Sequence, residues 1–244
     1  MGEEENKNVE EAGKEEIGEE VKEQEIKEEE KIEWVPKTKL GNDIIAGKYK
    51  SIEEILQSGK KILEPEIVDY LVPDLKHEFI YIGGTPGKGG GIKRTPTRMT
   101  ARMHKSGRRF KITALAVVGN ENGIIGIGKS SSNEHRIAME KALKQAKMNL
   151  IAVRRGCGSW ECNCGGKHSI PFKSKGKMGS VRVTIMPAPK GTGIVAGDEA
   201  KKILRLAGIK DITTKVFGQT SVRINLAYAF FNALKNLSST RGEL

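Results

Sequence analysis

The chain has 244 residues and a formal net charge of +11, but residues 1–33 hold 15 Glu against 5 Lys, so residues 34–244, with 37 Lys and Arg against 16 Asp and Glu, carry +21. A field of that size calls for a polyanionic partner, either a phosphate backbone or an anionic membrane surface. No apolar run approaches the roughly 20 residues that span a bilayer, the acidic start is the opposite of a signal or transit peptide, and aromatic residues at 5% argue against one bulky interior, so the expectation is a cytoplasmic protein.

In the first segment, residues 1–33, Val9, Ile17, Val21, Ile26 and Ile32 are too few to offset the entropy of ordering a Glu/Lys-rich stretch, which reads as a disordered or transiently helical acidic tail. Residues 34–75 read as a helical extension. Ser51 and Glu54 form a capping box ahead of Ile52, Ile55 and Leu56, with a stop at Gly59, and a second short helix follows Pro65 through Ile67, Val68 and Leu71. Residues 78–82 are extended, and residues 83–98, rich in Gly and Pro without apolar periodicity, read as a loop or flexible arm.

Residues 108–118 and 124–128, joined by turn residues 120–123, predict a hairpin. A helix starting near Ser132 and Asn133 follows, with Met139, Ala142, Leu143, Ala146 and Leu150 on its apolar stripe and Arg136, Lys141, Lys144 and Lys147 mostly away from it. Strand, strand and basic-faced helix make residues 76–153 an α+β unit of a kind common among RNA-binding domains. Residues 154–169 form a Cys-rich linker. Residues 170–244 begin again with a strand at 181–186, a loop at 187–193, a helix carrying Ala200, Ile203, Leu204 and Ala207, a strand at 211–217, and a last helix with Leu226, Ala229, Phe230, Ala233, Leu234 and Leu237 on one face, entered at Thr220 or Ser221. The foldable part is expected to hold two small domains.

Lys93, Arg94, Arg98, Arg102, Lys105, Arg108 and Arg109 crowd a Gly/Pro-interrupted stretch that cannot bury them, and Arg154, Arg155, Lys173, Lys175 and Lys177 extend the pattern. Such loops neutralise phosphates and release counterions, the alternative being a merely solvated face. A membrane-surface role would require a basic helix with large apolar residues opposite the charge, and the helical stripes here are core-width. The glycines at 87–91 and 191–193 do not make a nucleotide phosphate loop, because no G-x-x-x-x-G-K-[ST] occurs, but they allow close backbone approach to RNA phosphate.

Cys157, Cys162, Cys164 and His168 offer soft ligands for a closed tetrahedral zinc site that would staple the linker. Against it stands the C-x-C spacing, and the alternative is a set of reduced thiols in a Gly-rich turn. The H-x-E and P-C-x-x-C of a zinc deaminase are missing. His77, His104 and His135 show no nucleophile-and-base pattern and no paired carboxylates stand out, so no catalytic residue is predicted and the protein is not expected to be an enzyme.

The stretch GRRFKITALAVVGNENGIIGIG at 107–128 resembles the signature of the universal small-subunit ribosomal protein S-five family, called S-two in the eukaryotic cytosol. MGSVRVTIMPAPKGTGIVAG at 178–197 and LAGIKD at 206–211 resemble that family's second domain, while WVPKTKLG at 34–41 and GCGSWEC at 156–162 look like its archaeal and eukaryotic branch, the cysteines pointing to the archaeal side. The resemblance implies a double-stranded-RNA-binding-like domain, then an α/β domain with a left-handed β-α-β crossover, an exception to the usual handedness. It implies binding to small-subunit ribosomal RNA, contact with the S-four and S-eight proteins, and a place near the messenger RNA entry channel that affects decoding accuracy. Candidate RNA contacts by resemblance are Lys105, Arg108 and Arg109 at the hairpin base, Lys129, and Lys190, Gly191, Thr192 and Gly193. Residues 83–98 look like an insertion relative to the family, and the acidic tail has no counterpart in it, reading as a solvated extension or a suppressor of unspecific RNA binding. The rival readings are a free-standing double-stranded-RNA-binding regulator and a phosphotransferase on the second-domain fold.

Overall fold

The computed structural model describes residues 34–87, 89–162 and 164–238, so the expectations for the tail at 1–33 lie outside the described residues. Within the helical extension, α1 (Lys39–Ile45) is capped by Thr38, whose hydroxyl accepts from Gly41 N–H at 3.2 Å. Helix α2 (Ile52–Gln57) has Ser51 as N-cap, but the Ser51 side chain makes no capping bond and Glu54 instead accepts from Lys50 N–H at 3.3 Å. Only the return arm of the expected box forms, one residue early. Helix α3 (Glu66–Leu71) follows Pro65 as the sequence predicts.

The first sheet is built from β1 (Lys76–Phe79), β4 (Thr97–His104), β5 (Gly107–Gly119), β6 (Ile124–Ser132) and β7 (Leu150–Ala152), with β1, β5, β6 and β7 adjacent in that order. Strand β4 shares an edge of β5 with β1: β1 pairs residues 116–119 and β4 pairs residues 107–114. Because β6 pairs only residues 112–119 of β5, residues 107–111 project with β4 as a two-stranded ribbon.

The expected loop at 83–98 contains a hairpin, β2 (Gly83–Pro86) with β3 (Ile92–Thr95), leading into β4. Thr85, Ile92 and Thr95 supply β-branched positions across the short ladder, and Gly83 has no room for a side chain, since a Cβ would lie 2.0 Å from Thr97 O. Reading glycines as loop overlooked this close approach.

Helix α4 (His135–Met148) lies on one face of β5 and β6. Its buried stripe is Ala138, Ala142 and Ala146, whereas Met139 and Leu143 are only half-buried, unlike the predicted stripe. The cause is contact distance: a Cβ on Gly128 would sit 2.2 Å from Ala146 N and 2.4 Å from Ala142 O, so the helix backbone rests on glycine and only alanines fit between.

The second sheet is ordered β10 (Ile194–Val195), β11 (Ile212–Phe217), β9 (Val181–Pro187) and β8 (Ser174–Met178), and α5 (Asp198–Leu206) joins the parallel pair β10 and β11 as a β-α-β unit. Helix α6 (Arg223–Ser238) covers its inner face so closely that a Cβ on Gly176 would lie 2.1 Å from Ala229 O. Leu115, Val117, Ile125 and Ile127 from the first sheet share one buried cluster with Val183, Ile185, Ile203, Leu204 and Phe230. The α+β class expected from sequence holds. At the seam, the buried Glu199 takes Arg223 Nη1 at 2.6 Å on Oε1 and Tyr81 N–H at 3.1 Å on Oε2. It joins the start of α5 to the exit of β1.

Candidate nucleic-acid interface

On the β4–β5 ribbon, strand alternation sorts the side chains. The cross-strand register places Arg98, Thr100, Arg102, Arg109, Lys111 and Thr113 on one face, and Met99, Ala101, Met103, Arg108 and Phe110 on the other. Lys129, opposite Leu115 in the β5–β6 ladder, continues the basic face. Both faces are exposed along β4 beyond Thr97, with Met103 at 75% and Met99 at 59%. The Arg108 guanidinium stands 5.0 Å from the centre of the Phe110 ring, and Arg109 donates to Ser106 Oγ at 3.0 Å. Lys105, Arg108 and Arg109 therefore sit at the tip of this ribbon. They are not at the base of the β5–β6 hairpin where the resemblance put them, because β4 pairs with the strand end that the sequence left unpartnered. Arg94 lies on β3, exposed and opposite Gly84.

The outer face of the second sheet, turned away from α6, is also basic. Lys175, Thr184 and Lys215 line up across three strands, as do Lys177, Arg182 and Phe217, while Ser174 and Gly176 point inward. Lys173 is exposed just before β8. Sequence reasoning found the lysines of β8 but missed Arg182, Lys215 and Phe217, 61% exposed, although the alternation in VRVTIMP and ITTKVF marks them. It missed Lys111 on the ribbon in the same way.

A third basic region is an open groove of about 960 Å³, walled by Arg155, Lys167, Lys190, Arg205 and Lys210 together with Cys164, His168 and Asp211. Arg155 is oriented by Asn122 Oδ1 and Gly208 O, and burial lowers its guanidinium from the ordinary value. Arg154, half-buried, precedes it in the chain. Gly191 and Gly193 adopt φ of 95° and 72°, which favours glycine, and both donate their N–H groups to Asp211 Oδ1, at 3.0 and 2.9 Å. Lys190 and Thr192 are exposed on that loop. No sequence signal short of the fold joins Lys167, Arg205 and Lys210 to this wall, since they come from a linker, a helix and a turn.

The predicted ligand set comes together here. The donor atoms of Cys157, Cys162, Cys164 and His168 lie within 4.8 Å of one another, and the three cysteines are not in disulfides. Cys162 Sγ stands 3.2 Å from Cys164 Sγ and 3.8 Å from His168 Nε2. Tetrahedral zinc, with bonds of about 2.3 Å to sulfur and about 2.0 Å to nitrogen, spaces its donors by roughly 3.5–3.8 Å, so the set fits after small adjustments. The C-x-C spacing is no obstacle, because Cys157 approaches from the other arm of the turn and donates to Cys162 O at 3.4 Å.

His168 Nδ1 is 2.8 Å from Asp211 Oδ2, both groups nearly buried, which leaves Nε2 aimed at the sulfurs. Carboxylate, imidazole and metal in sequence is a usual outer-shell arrangement for zinc. Burial works against the charge of Asp211, yet the Gly193 and Gly191 N–H groups and His168 more than offset it and hold its carboxyl below the usual range. The Cys162 thiol is pulled down to about 6, first by the backbone N–H of Lys190 and then by Cys164, making it the readiest thiolate of the set. Trp160, on the same turn, is 92% exposed.

Among the described residues no helix is long and apolar enough to cross a membrane. The family model for the N-terminal domain of ribosomal protein S5 matches residues 96–154, and that for its C-terminal domain matches residues 176–244. The chain is 50% identical over 209 residues, 86% of its length and 89% of the relative's, to the small ribosomal subunit protein uS5 of Methanocaldococcus jannaschii. It is 48% identical over 203 residues to that of Staphylothermus marinus, covering 83% of this chain and 88% of the relative, and 50% identical over 209 residues to that of Nanoarchaeum equitans, covering 86% and 90%.

Proposed function

This chain belongs to the ribosomal protein S5 family, in its archaeal-type branch, and on that premise we propose that it grips folded ribosomal RNA through three basic surfaces: the β4–β5 ribbon, the outer face of the second sheet and the groove beside the cysteines. It is a structural, RNA-binding component of the small ribosomal subunit. The observation that carries the assignment of surfaces is the ribbon. A two-stranded extension exposed on both faces buries too little to be held by its own core, and Arg98, Arg102, Arg109 and Lys111 aligned on one face match a phosphate backbone. Arg94, Lys105, Arg108 and Lys129 add to the same surface, Lys173, Lys175 and Lys177 to the second, and Arg154, Arg155 and the loop from Lys190 to Gly193 to the third. Recognition would rest on shape and charge more than on base edges.

The finer family traits belong to the same reading: a double-stranded-RNA-binding-like first domain at 76–153, a second domain at 170–244 with a left-handed β10-α5-β11 crossover, contact with the S-four and S-eight proteins, and a place near the messenger entry channel in a cytoplasmic ribosome. The chain has a binding role and no catalytic one. A zinc ion on Cys157, Cys162, Cys164 and His168 would staple the linker between the sheets, supported by the mutual distances of the donors and by the Asp211 carboxylate behind His168.

The test is co-sedimentation of the protein with small subunits in a lysate, combined with the salt dependence of its binding to a small-subunit ribosomal RNA transcript. Sedimentation with the subunit and a steep loss of affinity with salt are expected. Migration as a free protein would favour the regulator instead, and a salt slope untouched by removing the ribbon cations would take the ribbon out of the interface.

A further inference from the structure

The cysteine cluster and the loop at 189–193 come from different parts of the chain, yet Asp211 joins them: Oδ2 meets His168 Nδ1 at 2.8 Å, and Oδ1 accepts from Gly191 and Gly193 at 3.0 and 2.9 Å. The carboxylate thus spends one oxygen on a ligand of the cluster and the other on the loop. His168 O in turn accepts from Lys210 and Asp211 N–H, at 2.9 and 3.1 Å, so His168 is tied to that strand entry from both ends.

Apart from these links the loop has little to hold it. Thr192 bonds only Pro189 O, Gly193 O accepts from Ile212, and nothing lies within 4 Å of where a Cβ on Gly191 or Gly193 would point.

We infer that metal bound by Cys157, Cys162, Cys164 and His168 sets the shape of the Lys190–Gly193 loop, and through it the strength with which the neighbouring basic groove holds RNA phosphate. The inference rests on the proposed RNA and zinc readings and adds a coupling between them. With metal on Nε2, the other ring nitrogen of His168 carries a proton and donates to Asp211, which fixes that carboxylate. The carboxylate then presents Oδ1 to Gly191 and Gly193, turning the loop so that Lys190 lines the groove beside Lys167 and Lys210. Without metal nothing fixes the Nε2 side of the ring, so His168, Asp211 and the loop that Asp211 holds are free to shift together.

The experiment uses the full chain in three forms: zinc-loaded, stripped with a chelator under reducing conditions, and reloaded. Metal content is read by elemental analysis, RNA affinity by titrating a small-subunit ribosomal RNA transcript at several salt concentrations, and loop order by hydrogen exchange at the Gly191 and Gly193 amides. Stripping is expected to speed exchange at both amides, lower affinity about tenfold, as for the loss of one charge-assisted contact, and make the salt slope shallower by about one unit. Reloading should reverse all three.

Asp211→Asn separates coupling from folding. Asparagine keeps the volume but has one acceptor where the aspartate serves three donors with two, so zinc should stay bound while the two amides exchange fast and affinity stays at the stripped value whether or not zinc is present. A chain that binds no zinc overturns the metal reading and the coupling with it. One equivalent of zinc whose removal changes neither exchange nor affinity leaves the metal reading standing and overturns the coupling alone.

Discussion

The β4–β5 ribbon and the groove beside the cysteines are both strongly basic, yet they are built in opposite ways. On the ribbon the cations stand on regular strands with few polar partners, Arg109 to Ser106 and Arg108 over Phe110, and no buried group fixes where they point. In the groove, Lys190 and its loop are oriented by a nearly buried carboxylate, Asp211, and Arg155 by Asn122 and Gly208. On the proposed reading, the ribbon would order its cations only on binding RNA, whereas the groove has its cations and loop already positioned in the fold. Substitutions should therefore separate: ribbon changes should act on RNA affinity and hardly on stability, and changes behind the groove on both.

The largest effect is expected on the ribbon. Replacing Arg98, Arg102, Arg109 and Lys111 together by Ala should reduce affinity for a small-subunit ribosomal RNA transcript by about 10³-fold at moderate salt and make the salt slope shallower by roughly three units. The urea midpoint should stay nearly unchanged, because these side chains are exposed. A shifted midpoint would mean that the ribbon contributes to the core and would remove the contrast.

Behind the groove, Asp211→Ala leaves Gly191 N–H, Gly193 N–H and the His168 ring without their acceptor. The expected loss of folding stability is about 2–4 kcal/mol by chemical denaturation, accompanied by weaker RNA binding. Glu199 provides a comparison away from any proposed contact. It pairs with Arg223 and accepts from Tyr81, so Glu199→Ala should cost about 3 kcal/mol of stability with RNA affinity unaltered once folding is allowed for. Equal effects of the two variants on affinity would show that the groove responds to general loosening and not to Asp211.

How far each region could be read from sequence follows from the same difference. Strands β5, β6, β9 and β11 announce themselves through β-branched runs, and the α+β order follows from them. Strand β8 does not, because SKGKM has almost no apolar content: its inward positions are Ser174 and Gly176, kept small by the approach of α6. Strand β4 is equally silent, since TRMTARMH is exposed on both faces and carries no alternation of burial to detect. The cysteine cluster was legible from composition alone. Its partner Asp211, 43 residues after His168, was not, because nothing local marks a carboxylate that works across the fold. Lys167, Arg205 and Lys210 escaped for that reason too.

The smallest expected effect tests the ribbon's other face. Phe110 is 44% exposed beside Met99 and Met103, with Arg108 over its ring, an aromatic surface on which an unpaired base or a ribose can rest. Stacking on an aromatic ring contributes about 1–3 kcal/mol per base and involves no counterions. Phe110→Ala should therefore weaken binding about tenfold while leaving the salt slope unchanged, the inverse signature of the arginine variants, and Phe110→Tyr should restore it. A change in slope would mean that losing the ring displaces Arg108 from a phosphate. Unchanged affinity would confine RNA to the basic face and leave Met99, Met103 and Phe110 for a protein neighbour, dividing the ribbon between two kinds of partner.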